Sequence, residues 1–274
     1  MPQRWIALIL SLALAPAAAA EAPALRAGIV ASAPPFVVAD AFGRPSGFSV
    51  QVFKAMAARL HRAVVFSTDT PAALLAGLEA GRLDVLAGPI LATPEHAAGV
   101  LFLEGYAWSE FQFGSRDGLP VAALRDLRGR RLAVEAGSDY AEWAGRNAAR
   151  LGFTMVSLAD QGAVLDAVRH GRADVSLTGS AALRGQAGLV AGLSLPETRT
   201  QEAAAVRQGE TELRDELEDA LACLKLDGSV AKLAKTWFGE KPGPEDLERL
   251  VVPGYGVPGL AGYDGKPHQV RCHS

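Results

Sequence analysis

Two segments about ninety positions apart share one pattern of apolar and polar residues. They are LLAGLEAGRLDVLAGP, residues 74–89, and VLDAVRHGRADVSLTG, residues 164–179. In each, apolar residues at helical spacing are followed by a glycine, then by Arg-x-Asp-Val and an apolar run. Gly81 and Gly171 suit the position just after a helix, where a left-handed backbone is favoured, and the apolar runs are typical of buried parallel strands. The pattern predicts two similar α/β lobes.

The remaining segments indicate how the two α/β units are connected along the chain. LRAGIVASAPPFVV opens the first lobe, and LRDLRGRRLAVEAGSDYAEWAGRNAARLGFTMVSL opens the second, each as the start of a βαβ unit. GYAWSEFQFGSR and PETRTQEAAAVRQGE are predicted to be two strands that cross between the lobes as a hinge. The predicted organisation is a signal peptide at 1–20, lobe 1 at 25–115 plus 200–239, lobe 2 at 118–196, and a Pro/Gly-rich extension at 240–274.

The first twenty residues have the pattern of an export signal. Arg4 gives a short positive region, WIALILSLALA is an apolar core, and APAAAA is a small-residue cleavage site ending at Ala20. The alternative, a membrane anchor, is disfavoured because the apolar run is short and no stop-transfer charges follow it. The sequence predicts an exported, periplasmic protein.

Composition limits the partners of the chain. Of its residues, 49% are hydrophobic and 21% are charged, which is enough apolar material for a proper core. The formal net charge is −3, and mild acidity argues against binding to nucleic acid or to an anionic membrane.

The chain contains two cysteines, Cys223 and Cys272. In an oxidising compartment an even pair is most simply interpreted as one disulfide. A reactive thiol, or a metal ligand together with His268 or His273, is the alternative.

Six segments together resemble the bacterial extracellular solute-binding protein family 3: LRAGIVASAPPFVV, GRPSGFSVQVFKAMAARL, AGRLDVLAGPILATPEH, LRDLRGRRLAVEAGSDYA, GRADV and DGSVAKLAKTWFG. The resemblance covers about residues 25–239. It implies the α/β fold of a type II periplasmic binding protein, in which two Rossmann-like lobes joined by a two-segment hinge close over a small solute. A membrane transporter then receives that solute.

Two strand ends that run into helix starts, LAGPILATPEH and VEAGSDYAEW, mark the predicted cleft. Ligands of open parallel sheets bind beyond the carboxyl ends of the strands, and free N–H groups at helix starts attract anions. Thr93 is predicted to cap the first helix. Gly137 and Ser138 open the second, although Asp139 is also able to cap it. Each start is equally consistent with an ordinary capped helix that binds nothing.

Three positions depart from the amino-acid receptors of this family. Their TPEH stretch usually ends in arginine, whose planar fork binds a substrate carboxylate, and here the residue is His96. Leu91 stands where a hydroxyl is favoured, and Gly179 stands where an aspartate commonly pairs with the substrate ammonium; Thr178 beside it is neutral. We interpret His96 as a weaker hydrogen-bonding substitute or as a surface-facing histidine. An ordinary amino acid is expected to leave its charges unpaired here.

The predicted ligand-binding residues lie at these strand ends and helix starts or form aromatic walls. They are Phe36, Phe48, Gly88, Leu91, Thr93, His96, Glu135, Gly137, Ser138, Thr178 and Gly179.

Three functions fit the sequence. The first is a monomeric periplasmic receptor that delivers a small solute, other than a standard zwitterionic amino acid, to an inner-membrane ABC permease. The second is an accessory protein of a periplasmic quinoprotein dehydrogenase, although the early strand lacks the Cys-containing stretch associated with that group. The third is an enzyme resembling the periplasmic dehydratase of aromatic-acid precursors, with Glu135, Asp139 and His96 as acid–base candidates. Neither a metal site nor a cofactor motif is present in the sequence pattern.

Overall fold

The computed structural model describes residues 22–184, 186–267, 269–270 and 272. The predicted signal peptide at 1–20 lies outside these residues, as do His268 and His273.

Eleven strands and seven α-helices form the described chain. The strands are β1 (Leu25–Ile29), β2 (Val38–Ala39), β3 (Pro45–Ser46), β4 (Val64–Thr68), β5 (Val85–Leu91), β6 (Val100–Phe102), β7 (Ala107–Ser115), β8 (Arg131–Glu135), β9 (Thr154–Leu158), β10 (Val175–Gly179) and β11 (Val190–Arg207). The helices are α1 (Phe48–Arg59), α2 (Pro71–Glu79), α3 (Pro94–Ala97), α4 (Asp139–Leu151), α5 (Gln161–Arg169), α6 (Thr211–Leu226) and α7 (Ser229–Phe238), with short 3-10 helices at Leu124–Leu127 and Ser180–Leu183.

Hydrogen bonds join the main strands in the order β4-β1-β5-β11-β7-β10-β8-β9, and β6 pairs with β11. In the first lobe β1 runs parallel to β4 and β5. In the second lobe β8 runs parallel to β9 and β10. Each lobe therefore has a parallel sheet built from βαβ units, as the two repeated segments predict.

The strands β7 and β11 form the hinge. They pair antiparallel with each other, and β11 also pairs with β5 and β6 of the first lobe while β7 pairs with β10 of the second. Their register shifts between Ala191 and Ser194 and again between Leu195 and Thr200. The predicted fold of two Rossmann-like lobes with a two-segment hinge is confirmed. The residue boundaries given above for the lobes and the extension stay predictions.

Gly81 and Gly171 occupy the positions that the pattern assigns to them. Each follows the last turn of its helix, and their φ angles are 70° and 74°. Residues with a Cβ atom rarely adopt that conformation, so glycine ends α2 and α5 without strain.

Each lobe has its own core. Phe48, Phe53 and Leu221 are fully buried where α1 and α6 pack against the first sheet. Phe113 and Leu132 are fully buried in the second lobe. The binding cleft is therefore positioned by two separately packed units.

The C-terminal extension is irregular and is fixed to the first lobe. The predicted disulfide between Cys223 and Cys272 is confirmed, with 5.5 Å between the two Cα atoms. The buried Lys225 ammonium lies 3.0 Å from Glu104 and donates to the carbonyl of Leu250 at 3.0 Å. The N–H of Gly256 donates to the carboxylate of Glu218 at 2.8 Å. Among the described residues, none of the helices is both long enough and apolar enough to cross a membrane.

Candidate ligand-binding cleft

A cavity of about 370 Å³ lies between the two lobes. Residues at the carboxyl ends of four parallel strands line it: Ile29 of β1, Leu91 of β5, Glu135 of β8 and Gly179 of β10. This is the place where α/β sheets bind their ligands. Its volume lies within the range of small-molecule sites.

The two sides of the cavity differ in polarity. The first lobe supplies an apolar wall that includes Phe36, Leu74, Leu75, Leu86 and Ile90. The ionisable side chains of the described lining, apart from tyrosine, are Glu95, His96, Glu135, Asp139 and Glu202, and neither Lys nor Arg is among the lining residues. The cavity is therefore apolar on one side and acidic towards the second lobe and the hinge.

Glu202 is an acidic residue of the hinge that is not among the ligand-binding residues predicted from the sequence. It lies on β11 between β5 and β7, is only 3% exposed and lines the cavity. Burial raises the pKa of Glu202 to about 7; the hydroxyl of Ser109 lowers the pKa and the nearby Asp139 raises it. Glu202 therefore adds a carboxylate to the cleft beside the predicted Glu135.

Glu135 is the second deeply buried carboxylate of the cavity. As the last residue of β8 it is 8% exposed, and its Oε1 atom has no hydrogen-bond partner in the described part of the chain. Burial, reinforced by Asp160, raises the pKa of Glu135 to about 7. At neutral pH such a carboxyl is able to exchange a proton or to receive a cation.

The space beside Gly179 is already filled. A Cβ atom on this residue would lie 2.7 Å from the hydroxyl of Ser109 and 2.9 Å from that of Tyr140, with Glu202 Oε1 at 3.8 Å. Where the family commonly has an aspartate after β10, this chain has a close-packed glycine. The neighbouring carboxylate comes instead from the hinge strand.

His96 lies on α3 and reaches across the cleft. Its Nδ1 atom is 2.8 Å from the carbonyl oxygen of Leu91, which can only accept, so Nδ1 carries the proton of that hydrogen bond. Its Nε2 atom lies 3.6 Å from Asp139 Oδ1 of the second lobe. His96 therefore lines the cleft and contacts the second lobe; whether it contacts ligand stays a prediction.

A second contact also joins the lobes across the cleft. The N–H of Gln161, at the start of α5, donates to the carbonyl of Ser32 in the first lobe at 3.1 Å. Together with the His96–Asp139 contact, it shows that the two lobes touch at two places beside the cavity.

Eight of the eleven predicted ligand-binding residues line the cavity. They are Phe36, Gly88, Leu91, His96, Glu135, Gly137, Ser138 and Gly179. Ser138 is the N-cap of α4, and its hydroxyl accepts from the N–H of Ala141 at 3.2 Å and donates to the carbonyl of Glu135 at 2.7 Å. The hydroxyl of Ser138 therefore caps α4.

Three predicted residues lie outside the lining. Phe48 is fully buried in the core, with its ring centroid 4.7 Å from that of Phe238. Thr93 caps α3 by accepting from the N–H of His96 at 3.3 Å. Thr178 is buried, and its hydroxyl donates to the carbonyl of Gly179 at 3.4 Å. These three stabilise the residues that line the cavity.

Acid–base candidates do come together in this cavity, since Glu135, Asp139 and His96 all line it. Burial, the largest cause, raises the pKa of Asp139, and the nearby His96 opposes that rise. No group of three or more metal-ligating side chains is found within the described residues.

The sequence and the fold now identify the family. Residues 25–240 match the profile of the bacterial extracellular solute-binding proteins, family 3. The chain belongs to this family.

Named relatives are binding proteins. The chain is similar to the "Probable amino-acid ABC transporter-binding protein" of Haemophilus influenzae, with 28% identity over 75% of this chain and 80% of the relative. It is also similar to the L-cystine-binding protein TcyJ of Escherichia coli, with 25% identity over 80% of this chain and 84% of the relative. Among solved structures, it is similar to an ancestral arginine-binding protein bound to arginine, with a TM-score of 0.72, 26% identity, and coverage of 79% of this chain and 98% of that chain.

Proposed function

We propose that the protein is a periplasmic solute receptor that delivers a small solute to an inner-membrane ABC permease. The observation that carries this proposal is the cavity at the strand ends between two lobes that touch at two places beside it. A receptor of this kind closes because the ligand makes contacts in the closed state that the open state does not offer. The export signal expected at residues 1–20 would bring the chain to the periplasm.

The solute is proposed to be something other than a standard zwitterionic amino acid. The arginine fork binds an amino-acid carboxylate through paired, charge-assisted hydrogen bonds, and the described lining has neither Arg nor Lys. It would instead face Glu135 and Glu202, which repel it when ionised. The relatives named for amino acids therefore support a transport role for this chain. Its solute is proposed to differ from the amino acids that they are named for.

One observation favours an enzyme as the second candidate. Glu135 and Glu202 are buried carboxyls with pKa values raised to about 7, which suits general acid–base catalysis. A dehydratase of aromatic-acid precursors must bind a carboxylate substrate, and the acidic lining opposes that. The receptor is therefore the better supported function.

Native mass spectrometry of the protein exported to a periplasm tests the proposal. We expect the folded protein to retain a small molecule that denaturation releases, or to gain thermal stability with one member of a solute library. A hundredfold excess over the dissociation constant contributes about 2.7 kcal/mol, which a melting curve detects. If the protein retains no solute after export, binds none from the library and copurifies with a quinoprotein dehydrogenase, the accessory function is supported instead.

A further inference from the structure

We propose that the solute is an organic ammonium ion with an apolar body, whose charge is bound by Glu202 and Glu135. This inference rests on the proposed receptor function and names the chemical class of its solute.

The two carboxylates line the same cavity from different elements. Glu202 reaches it from the hinge strand β11, and Glu135 reaches it from the end of β8. The hydroxyl of Tyr140 and Glu202 Oε1 both lie within 4 Å of the position that a Cβ atom on Gly179 would take. Burial, followed by the charges of Glu202, Asp139 and Glu135, raises the pKa of Tyr140 well above its ordinary value. Three acidic side chains from the hinge and the second lobe thus act on one buried hydroxyl.

Among the described lining residues, Glu135 and Glu202 have no Lys or Arg partner. Glu135 is more than nine-tenths buried and its Oε1 atom is without a hydrogen-bond partner among the described residues. Neither Arg nor Lys is found in the described lining, and His96 is directed to Asp139. Buried carboxyls in such a place are stable only when they are protonated or when a cation pairs with them. A ligand ammonium group supplies that cation.

The opposite wall determines the rest of the ligand. Leu74, Leu75, Leu86 and Ile90 line the first-lobe side of the cavity together with Phe36. They offer contact area to an alkyl or aryl group and place few polar groups near it. A solute that satisfies both walls carries a positive charge at one end and an apolar body at the other.

Calorimetry with ligands of matched shape and different charge tests the assignment. The probes are hexylamine, 1-hexanol, hexanoate and norleucine, with phenethylamine, 2-phenylethanol and 3-phenylpropionate as the aromatic set. At pH 8 we expect at least one amine to bind, and to bind at least tenfold more tightly than the alcohol and the acid of its set and than norleucine. Failure of both amines at millimolar concentration overturns the inference.

Isosteric variants identify the residues. Glu202→Gln and Glu135→Gln are each expected to weaken amine binding at least tenfold, whereas Glu197→Gln, an exposed position on the same strand β11, leaves it unchanged. Circular dichroism confirms that each variant is folded. Binding of the alcohol or acid in place of the amine would overturn the ammonium class and keep the receptor function. If the protein neither retains nor binds any solute, both the ammonium class and the receptor function are overturned.

Discussion

His96 of the first lobe faces Asp139 of the second, with 3.6 Å between His96 Nε2 and Asp139 Oδ1. The proton on His96 Nδ1 is engaged by the carbonyl of Leu91. The Nε2 atom of His96 therefore attracts the Asp139 carboxyl only when one further proton lies between the two groups. Where amino-acid receptors of the family commonly have an arginine, this chain has a histidine that contacts the other lobe.

The first prediction concerns this contact. In a double-mutant cycle of His96→Ala and Asp139→Asn, the coupling in unfolding free energy should be about 0.2–1 kcal/mol at pH 6, because both side chains are partly exposed. Denaturant unfolding of the four proteins at pH 6 measures it. Additive effects at pH 6 would contradict a functional contact.

The second prediction concerns Gly179. A Cβ atom here would crowd the hydroxyls of Ser109 and Tyr140 at less than 3.0 Å, so Gly179→Ala should lower the unfolding free energy by about 1–3 kcal/mol. Gly179→Asp should be worse, because it adds a carboxyl near Glu202 without a cation. Gly145→Ala is the control: it lies in α4 with open space around it, and should be neutral or stabilising. Equal stability of Gly179→Ala and the wild type would show that Ser109 and Tyr140 move freely.

The sequence predicts the fold because local patterns determine it. Gly81 and Gly171 end two helices before two buried strands, and this repeated unit is sufficient to indicate two α/β lobes. Residues next to the strand ends, such as Leu91 and Gly137, fall in the cavity because carboxyl ends of parallel strands meet there. That they bind a solute stays a prediction.

Glu202 could not be placed from the sequence. It precedes a run of alanines in a strand whose residues 202–206 are all buried, so the usual alternation of inward and outward positions gives no signal. Its position depends on β11 running between β5 and β7. The contact between His96 and Asp139 likewise depends on how the lobes meet. Both are properties of tertiary structure, which local patterns do not record.

The third prediction concerns the disulfide. Cys223 and Cys272 are 49 positions apart, and a closed loop of that length contributes about 4 kcal/mol in the chain-entropy model. Mass spectrometry without reductant should show one linked peptide pair and no alkylated thiol. Cys272→Ala should lower the unfolding free energy by up to that amount, and reductant should destabilise the wild type but leave the variant unchanged. Two alkylatable thiols in freshly exported protein would contradict the bond.

The last prediction concerns pH and the two buried glutamates. Burial raises the pKa of both Glu135 and Glu202 to about 7. A carboxyl whose pKa is higher in the folded than in the unfolded chain holds its proton more tightly when folded, so its contribution to stability decreases as pH rises from the ordinary glutamate range to about 7. Ser109, Tyr140, Tyr106 and Asp139 are the polar or titratable groups that interact with Glu202.

Glu202→Gln removes this titration, so its unfolding free energy relative to the wild type should increase between pH 5 and pH 8, by on the order of 3 kcal/mol at most. Denaturant unfolding at the two pH values measures the difference, with Glu197→Gln as the exposed control on the same strand. Amine affinity should change in the opposite direction to wild-type stability. Because an ammonium ion pairs with the ionised carboxyl, binding of the amine should strengthen roughly tenfold from pH 5.5 to 7.5, and this pH dependence should be reduced in Glu202→Gln. Amine binding that is independent of pH over this range and is also unchanged in Glu202→Gln would mean that another group carries the recognition.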